Sequence, residues 1–218
     1  MPIRPSRVHA EGVNFAVIDV ETTGLDPDLC RAVEIAIVEI DRAGRRIDQF
    51  SSLLRVPGED ALGAEFIHHI TRDMIEDAPS FGEVISAISE RLEGRIVVGH
   101  VVEFDLGHLR AEFHRAGAEL PQFAGATLCT RDLARILLPP GPKTLGACCA
   151  FLGIDNDAPH TALGDACATA DLLIQMLQMS HPIDLEALEA RVEGVEWTGY
   201  ESVAQRAARP RERFDIDR

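Results

Sequence analysis

The chain has 218 residues, 46% of them apolar, enough to bury one substantial core and to make a single main domain the simplest organisation. No run reaches the ~20 consecutive apolar residues that a membrane-spanning helix requires, and the opening MPIRPSRVHAEGV lacks the apolar stretch of a secretory signal, so a soluble, cytoplasmic protein with no membrane partner is expected. With 36 acidic residues against 21 basic ones the formal charge is −15, the wrong sign for binding long nucleic acid by phosphate neutralisation alone.

Residues 1–12 read as a leading segment and 13–180 as the main domain. NFAVIDV at 14–20 is a short β-branched run ending in an acid, the pattern of a buried strand, and ETTGLDP breaks it as a turn. AVEIAIVEI at 32–40 and RRIDQFSSLLR at 45–55, joined by the turn DRAG, predict an antiparallel meander with that first strand. After Pro57 the pattern turns helical: a short segment from Thr71, then one from Ser80, where Ser80 and Glu83 have capping-box spacing, stopping near Gly94. RIVVG at 95–99 predicts another buried strand, followed by a helix with Phe104, Leu106, Leu109 and Phe113 on one face. A last strand falls near 125–128, and helices follow over 130–138, 144–152 and 164–179. Strands first and crossover helices afterwards give an α/β class, a mixed five-stranded sheet with helices on its faces. From 181 to 218 the sequence predicts one more helix, DLEALEARVEG, and a polar, frayed tail.

Cys30, Cys129, Cys148, Cys149 and Cys167 show neither CxxC spacing nor the density of a disulfide-stapled domain, and read as small buried or half-buried residues. Lys143 is the only lysine; with Arg131 and Arg135 it forms either a phosphate-guiding patch or part of a scatter of surface cations.

Three places concentrate acids. Asp19 and Glu21 stand two apart at the end of an apolar strand, so their side chains share a face. Held there, they either bind a hard divalent cation through oxygen or are solvated where the strand ends. Asp105 follows a buried strand, at the sheet rim where ligands bind in α/β folds, although acids are also common near helix N-termini. His100 and His108 beside it are potential ligands, or hydrogen-bonded structure. His160 lies on a loop before a helix whose first turn carries Asp165, a setting suited to a base that takes a proton from water. Asp171, further along that helix, reads as a solvated face.

DVETTGL at 19–25, VGHVVEFD at 98–105 and HTALGDA at 160–166 resemble, in that order and spacing, the three motifs of the DEDDh 3′–5′ exonuclease family, which includes proofreading epsilon subunits of bacterial DNA polymerase III. The resemblance extends over roughly residues 13–179. It implies a ribonuclease H-like fold and hydrolysis assisted by two Mg²⁺ or Mn²⁺ ions, releasing nucleoside 5′-monophosphates. By the same resemblance Asp19, Glu21, Asp105 and Asp165 are the metal residues, Asp105 largely through a water or an outer shell, and His160 is the base. Thr22, Thr23, Leu25, His68 and His100 fall where the family meets the terminal nucleotide; read without it, Thr22, Thr23 and His68 are as well explained by a polar turn and a helix cap. The family places Asn after the motif-II histidine, where this chain has Val101, a departure that bears on strand positioning and removes no metal ligand. The substrate so implied is single-stranded DNA or a frayed 3′ end, with short RNA the alternative sugar and a polymerase or repair protein the potential partner. A catalytically silent adaptor is the reading from another class. Thr23 favours the DNA branch, since the RNA-cleaving oligoribonucleases carry Met there.

Overall fold

The computed structural model describes residues 13–58, 62–123, 125–179 and 183–197. β1 (Val13–Thr22), β2 (Ala32–Asp41) and β3 (Arg46–Leu53) form the expected antiparallel meander. The β2–β3 turn is held by Asp41, whose Oδ1 accepts the Ala43 and Arg45 N–H groups at 2.9 and 2.8 Å, so a short side chain replaces ladder bonds that the reversal breaks. β4 (Ile96–Gly99) and β5 (Thr127–Cys129) run parallel to β1 and complete a five-stranded sheet in the order β3-β2-β1-β4-β5.

Among the described residues the helices are α1 (Glu65–His68), α2 (Arg72–Ile75), α3 (Phe81–Leu92), α4 (Val102–Arg115), α5 (Thr130–Leu137), α6 (Leu145–Leu152), α7 (Ala162–Gln178) and α8 (Leu185–Glu193). The Glu83 carboxylate accepts from both the Ser80 N–H (2.7 Å) and the Ser80 hydroxyl (2.6 Å), fixing the start of α3. α1 was not legible in the sequence, because one turn is too short to carry a periodicity. α7 begins two residues earlier than its apolar pattern suggests, since Thr161 caps it by accepting the Gly164 N–H at 3.1 Å. The leading segment 1–12 and the polar tail from 198 lie outside the described residues.

Strand alternation divides the core into two layers. Ala16, Ile18 and Val20 of β1 pack against Ile85, Ile88, Leu106 and Phe113 of α3 and α4. Phe15 and Val17 face the other way, onto Leu133 of α5 and Ala166, Ala170 and Leu173 of α7. Burial on both faces explains why β1 and β2 read as near-continuous apolar runs. The small residues Ala162, Ala166 and Ala170, fully buried, let α7 lie close to the sheet.

A buried ion network locks α4 to the meander. Glu112, 1% exposed, accepts from Arg31 Nε and Nη2 at 2.6 and 2.8 Å, from the Ala32 N–H at 3.3 Å and from Arg115 Nη1 at 3.1 Å. Removing it takes the acceptor from one buried N–H and from the Arg31 guanidinium, about a quarter exposed, while Arg115 keeps the Pro27 and Asp28 carbonyls. Glu112→Ala is therefore expected to cost about 2–3 kcal/mol, below the ~3–5 kcal/mol for breaking a fully buried pair because water reaches the arginines. A urea unfolding midpoint shifted by less than the experimental error would refute this.

Candidate active site

The parallel strands β1, β4 and β5 end on one edge of the sheet, and the chain places its acids there. Continuing the alternation of Phe15 and Val17, Asp19 and Glu21 point to the α7 side of the sheet. The helix that packs there brings Asp165 in its first turn, and oxygen atoms of Asp19, Glu21 and Asp165 lie within 4.8 Å of one another. Asp105 reaches the same edge from α4. β1 pairs with β4 only as far as Val17 and Val98, and beyond that point Asp105 Oδ1 accepts the Val20 N–H at 3.2 Å, taking over a bond the neighbouring strand no longer supplies. Asp105 is 5% exposed, and a side chain on Gly99 would sit 2.9 Å from its Oδ2, so glycine there keeps room for the carboxylate.

Asp165 is held from below by its own loop. Asn156 Nδ2 donates to its Oδ1 at 2.6 Å and the His160 N–H to its Oδ2 at 3.3 Å. His160 adopts φ 62°, a left-handed conformation uncommon for a residue with a Cβ, and its ring is exposed. Gly164 permits this turn: a Cβ there would lie 2.0 Å from the Ala158 carbonyl oxygen.

Two residues of the site were missed by the sequence reading. Glu34 stands opposite Glu21 in the β1–β2 register, and its Oε2 accepts the Ala162 N–H at 2.9 Å, tying the start of α7 to β2. The break in the apolar run AVEIAIVEI was its signal. Asn156 offered none, because a loop asparagine next to Asp157 looks like turn chemistry. Phe66 on α1 is 79% exposed and Leu25 85% exposed; Gly63 packs so closely on the Thr23 carbonyl that α1 adjoins the Leu25 loop.

The remaining predicted residues are engaged in the protein itself. The Thr22 hydroxyl donates to the Gly24 carbonyl at 2.8 Å and Thr23 Oγ1 accepts the Arg31 N–H at 2.9 Å, so both shape the loop that presents Leu25. His68 is 3% exposed with Nδ1 accepting the Ile70 N–H at 3.0 Å. His100 is 8% exposed, Nδ1 bonded to Thr130 Oγ1 at 3.0 Å and Nε2 to the Lys143 carbonyl at 2.8 Å. In this arrangement neither ring nitrogen of His100 is open to a substrate. His108 is fully buried against Phe104, ring centroids 4.7 Å apart. Asp171 lies on a solvated helix face, as expected, and there pairs with the exposed Arg46 at 2.6 Å.

The exonuclease family RNase_T matches residues 16–173. DNA polymerase III PolC-type of Bacillus cereus is 34% identical over 167 residues, 75% of this chain and 11% of the polymerase. The 3′-5′ exonuclease DinG of Bacillus subtilis is 33% identical over 75% of this chain and 18% of its own length. The chain thus spans only a small part of these relatives. Among solved structures, exonuclease X in complex with 5′ overhanging duplex DNA is similar with a TM-score of 0.59 and 28% identity, covering 82% of this chain and 99% of that one. That nuclease shares the ribonuclease H-like sheet found here.

Crowding shifts the acids together. Burial drives Asp19 well above the usual carboxylate range, and Asp105, Asp165, Glu21 and Glu34 push it further. Glu21 is pushed up to about 7 by burial and then by Asp165 and Glu34. Asp105 rises to about 8 through burial, against the lowering effect of the Val20 N–H. Burial also raises Glu34, opposed by the Ala162 N–H. In an unfolded chain such acids titrate near ~4, so between about pH 4 and 8 the folded state binds the more protons and stability falls as pH rises. With chelator present, the thermal midpoint is expected to drop between about pH 5 and about pH 8, and added Mg²⁺ to raise it most at the upper end. A midpoint that rises over that range with chelator would contradict the crowding.

Proposed function

Because the chain belongs to the RNase_T exonuclease family, we propose that it is a metal-dependent 3′→5′ exonuclease that shortens single-stranded or frayed DNA ends and releases nucleoside 5′-monophosphates. The observation that carries the reading is the meeting of Asp19, Glu21 and Asp165 within 4.8 Å, with Asp105 bonded beside them. Like charges held that close at a partly buried edge call for a cation, and an all-carboxylate donor set suits a hard divalent ion. Mg²⁺ or Mn²⁺, two ions in this reading, supplies Lewis acidity toward the scissile phosphate and lowers the pKa of the attacking water.

The chain's own residues do the rest. Asp19, Glu21 and Asp165 would hold the ions, while Asp105, bonded to the Val20 N–H, sets the end of β1 beside them. His160 has an exposed ring on a loop anchored to Asp165 through its backbone, which lets it approach the water and take its proton. Leu25 and Phe66 offer apolar surface to the terminal base, with Thr22 and Thr23 shaping the loop. DNA is favoured as substrate because the relatives bear polymerase and 3′-5′ exonuclease names and the similar solved nuclease holds DNA. A polymerase or repair protein is the matching partner, and the cytoplasm the matching location. No described helix is long and apolar enough to cross a membrane.

Purified protein should shorten a 5′-labelled single-stranded oligodeoxynucleotide with Mg²⁺ or Mn²⁺, and EDTA should stop it. Asp19→Ala should abolish turnover, and His160→Ala should reduce it by ~10²-fold or more through loss of the base. Activity that survives the chelator would sink the metal mechanism, and an unaffected His160→Ala would remove the base assignment. Matched RNA, cleaved as fast as DNA, would overturn the preference for the deoxy sugar.

Asn156 holds Asp165 through one bond and touches no substrate in this reading, so it acts through the carboxylate. Asn156→Ala is expected to weaken Mn²⁺ binding ~10-fold, the usual cost of losing an outer-shell partner, with the fold intact. Titration of bound Mn²⁺ by calorimetry would show it, and unchanged affinity would assign Asn156 to loop structure alone.

A further inference from the structure

The site is rich in acids and short of cations. Of the basic residues along the β4–β5 edge, Arg135 pairs with Asp132, and Lys143 Nζ donates to the Pro139 and Gly141 carbonyls at 2.6 and 3.3 Å. Arg131 differs. Its backbone is fixed at the rim: Gly99 pairs with Cys129 in the β4–β5 register, α5 starts at the next residue, and the Arg131 N–H donates to the His100 carbonyl at 3.3 Å. Its guanidinium has no hydrogen-bond or ion-pair partner among the described residues, and Nε is buried without one. A half-buried guanidinium left unpaired is costly in a chain with this excess of acids, unless an anion completes it.

The location says which anion. The His100 ring, whose pKa is lowered chiefly by burial, is hydrogen-bonded to Thr130, the residue before Arg131, and is near enough to the acidic edge to feel Asp165. The bond from the Arg131 N–H to the His100 carbonyl sets Arg131 beside the turn where this chain has the apolar Val101. Val101 offers a passing strand no side-chain hydrogen bond.

We propose that Arg131 is the phosphate-binding residue of this site, its guanidinium taking a backbone phosphate of the substrate strand next to the one being cut and supplying the polar contact that Val101 does not. The inference rests on the exonuclease reading. The guanidinium fork binds two phosphate oxygens at once, and a lysine would bind them as a point charge.

The test compares wild type, Arg131→Ala, Arg131→Lys and Arg42→Ala on a single-stranded oligodeoxynucleotide with Mg²⁺ at several salt concentrations. Arg42 is a surface cation at the opposite end of the sheet, paired with Glu189, and controls for loss of one positive charge. Arg131→Ala is expected to raise KM about 10-fold with a much smaller effect on kcat, and to flatten the dependence of log KM on log salt by about 0.7. Arg131→Lys should keep the salt slope while recovering only part of KM, and Arg42→Ala should match wild type. An unchanged KM and slope in Arg131→Ala would overturn the proposal, as would a fall in kcat and thermal midpoint that Arg131→Lys shares. Fluorescence anisotropy of the labelled strand separates this from the wider reading. Wild type that binds DNA better than Arg131→Ala without cutting it would defeat the exonuclease assignment and uphold Arg131; cutting with equal binding by both would do the reverse.

Discussion

Mutual repulsion among Asp19, Glu21, Glu34 and Asp165 is the constraint on which the functional edge depends. Left in water these carboxylates would separate; here burial first, and then the neighbouring charges, raise Asp19, Glu21 and Glu34 toward the protonated form. They stay together because each is carried by an element fixed for other reasons. β1 is buried on both faces, β2 is zipped to it over its whole length, and α7 is seated on three alanines. The hydrogen bonds at the edge then hold the acids from behind: Val20 N–H on Asp105, Ala162 N–H on Glu34, Asn156 and the His160 N–H on Asp165. Such N–H donors, three from the backbone and one from an asparagine side chain, stabilise negative charge and fix where each carboxylate sits.

The sequence carried the architecture well where periodicity was long. The meander, β4, α3, α4 and α7 follow from apolar alternation and capping residues, with boundaries displaced by one or two positions. Asp19 and Glu21 were readable as neighbours from strand parity alone. Their meeting with Asp165 was not, because it depends on a crossover that brings residue 165 back onto β1, and only the motif resemblance pointed to it. Glu34 and Asn156 escaped for a related reason. Their importance lies in a partner 128 residues away in one case and in a side-chain bond across a loop in the other, and neither is a local property.

The family resemblance sets His68 and His100 beside the terminal nucleotide; in the fold both are buried and spend ring nitrogens on the protein's own backbone and hydroxyls. A histidine near a site is a useful rigid spacer as well as a potential contact. His100 joins β4, α5 and the loop at Lys143 in one set of bonds, so it fixes the geometry of the rim on which Arg131 stands. Of the two motif histidines, His100 is buried, whereas His160 is exposed at a left-handed backbone position.

The division of the core into two layers separates the histories the two sides of the site can have. Asp105 rides on α4 and the layer beneath it, Asp165 on α7 and the other layer, and β1 is common to both. A substitution that resizes a side chain in one layer shifts one acid relative to the strand and leaves the other in place, whereas a change in β1 moves the whole set. Each side can therefore be adjusted with the other held in register by β1, within the limits that the Asp165 and Asp105 hydrogen bonds set on it.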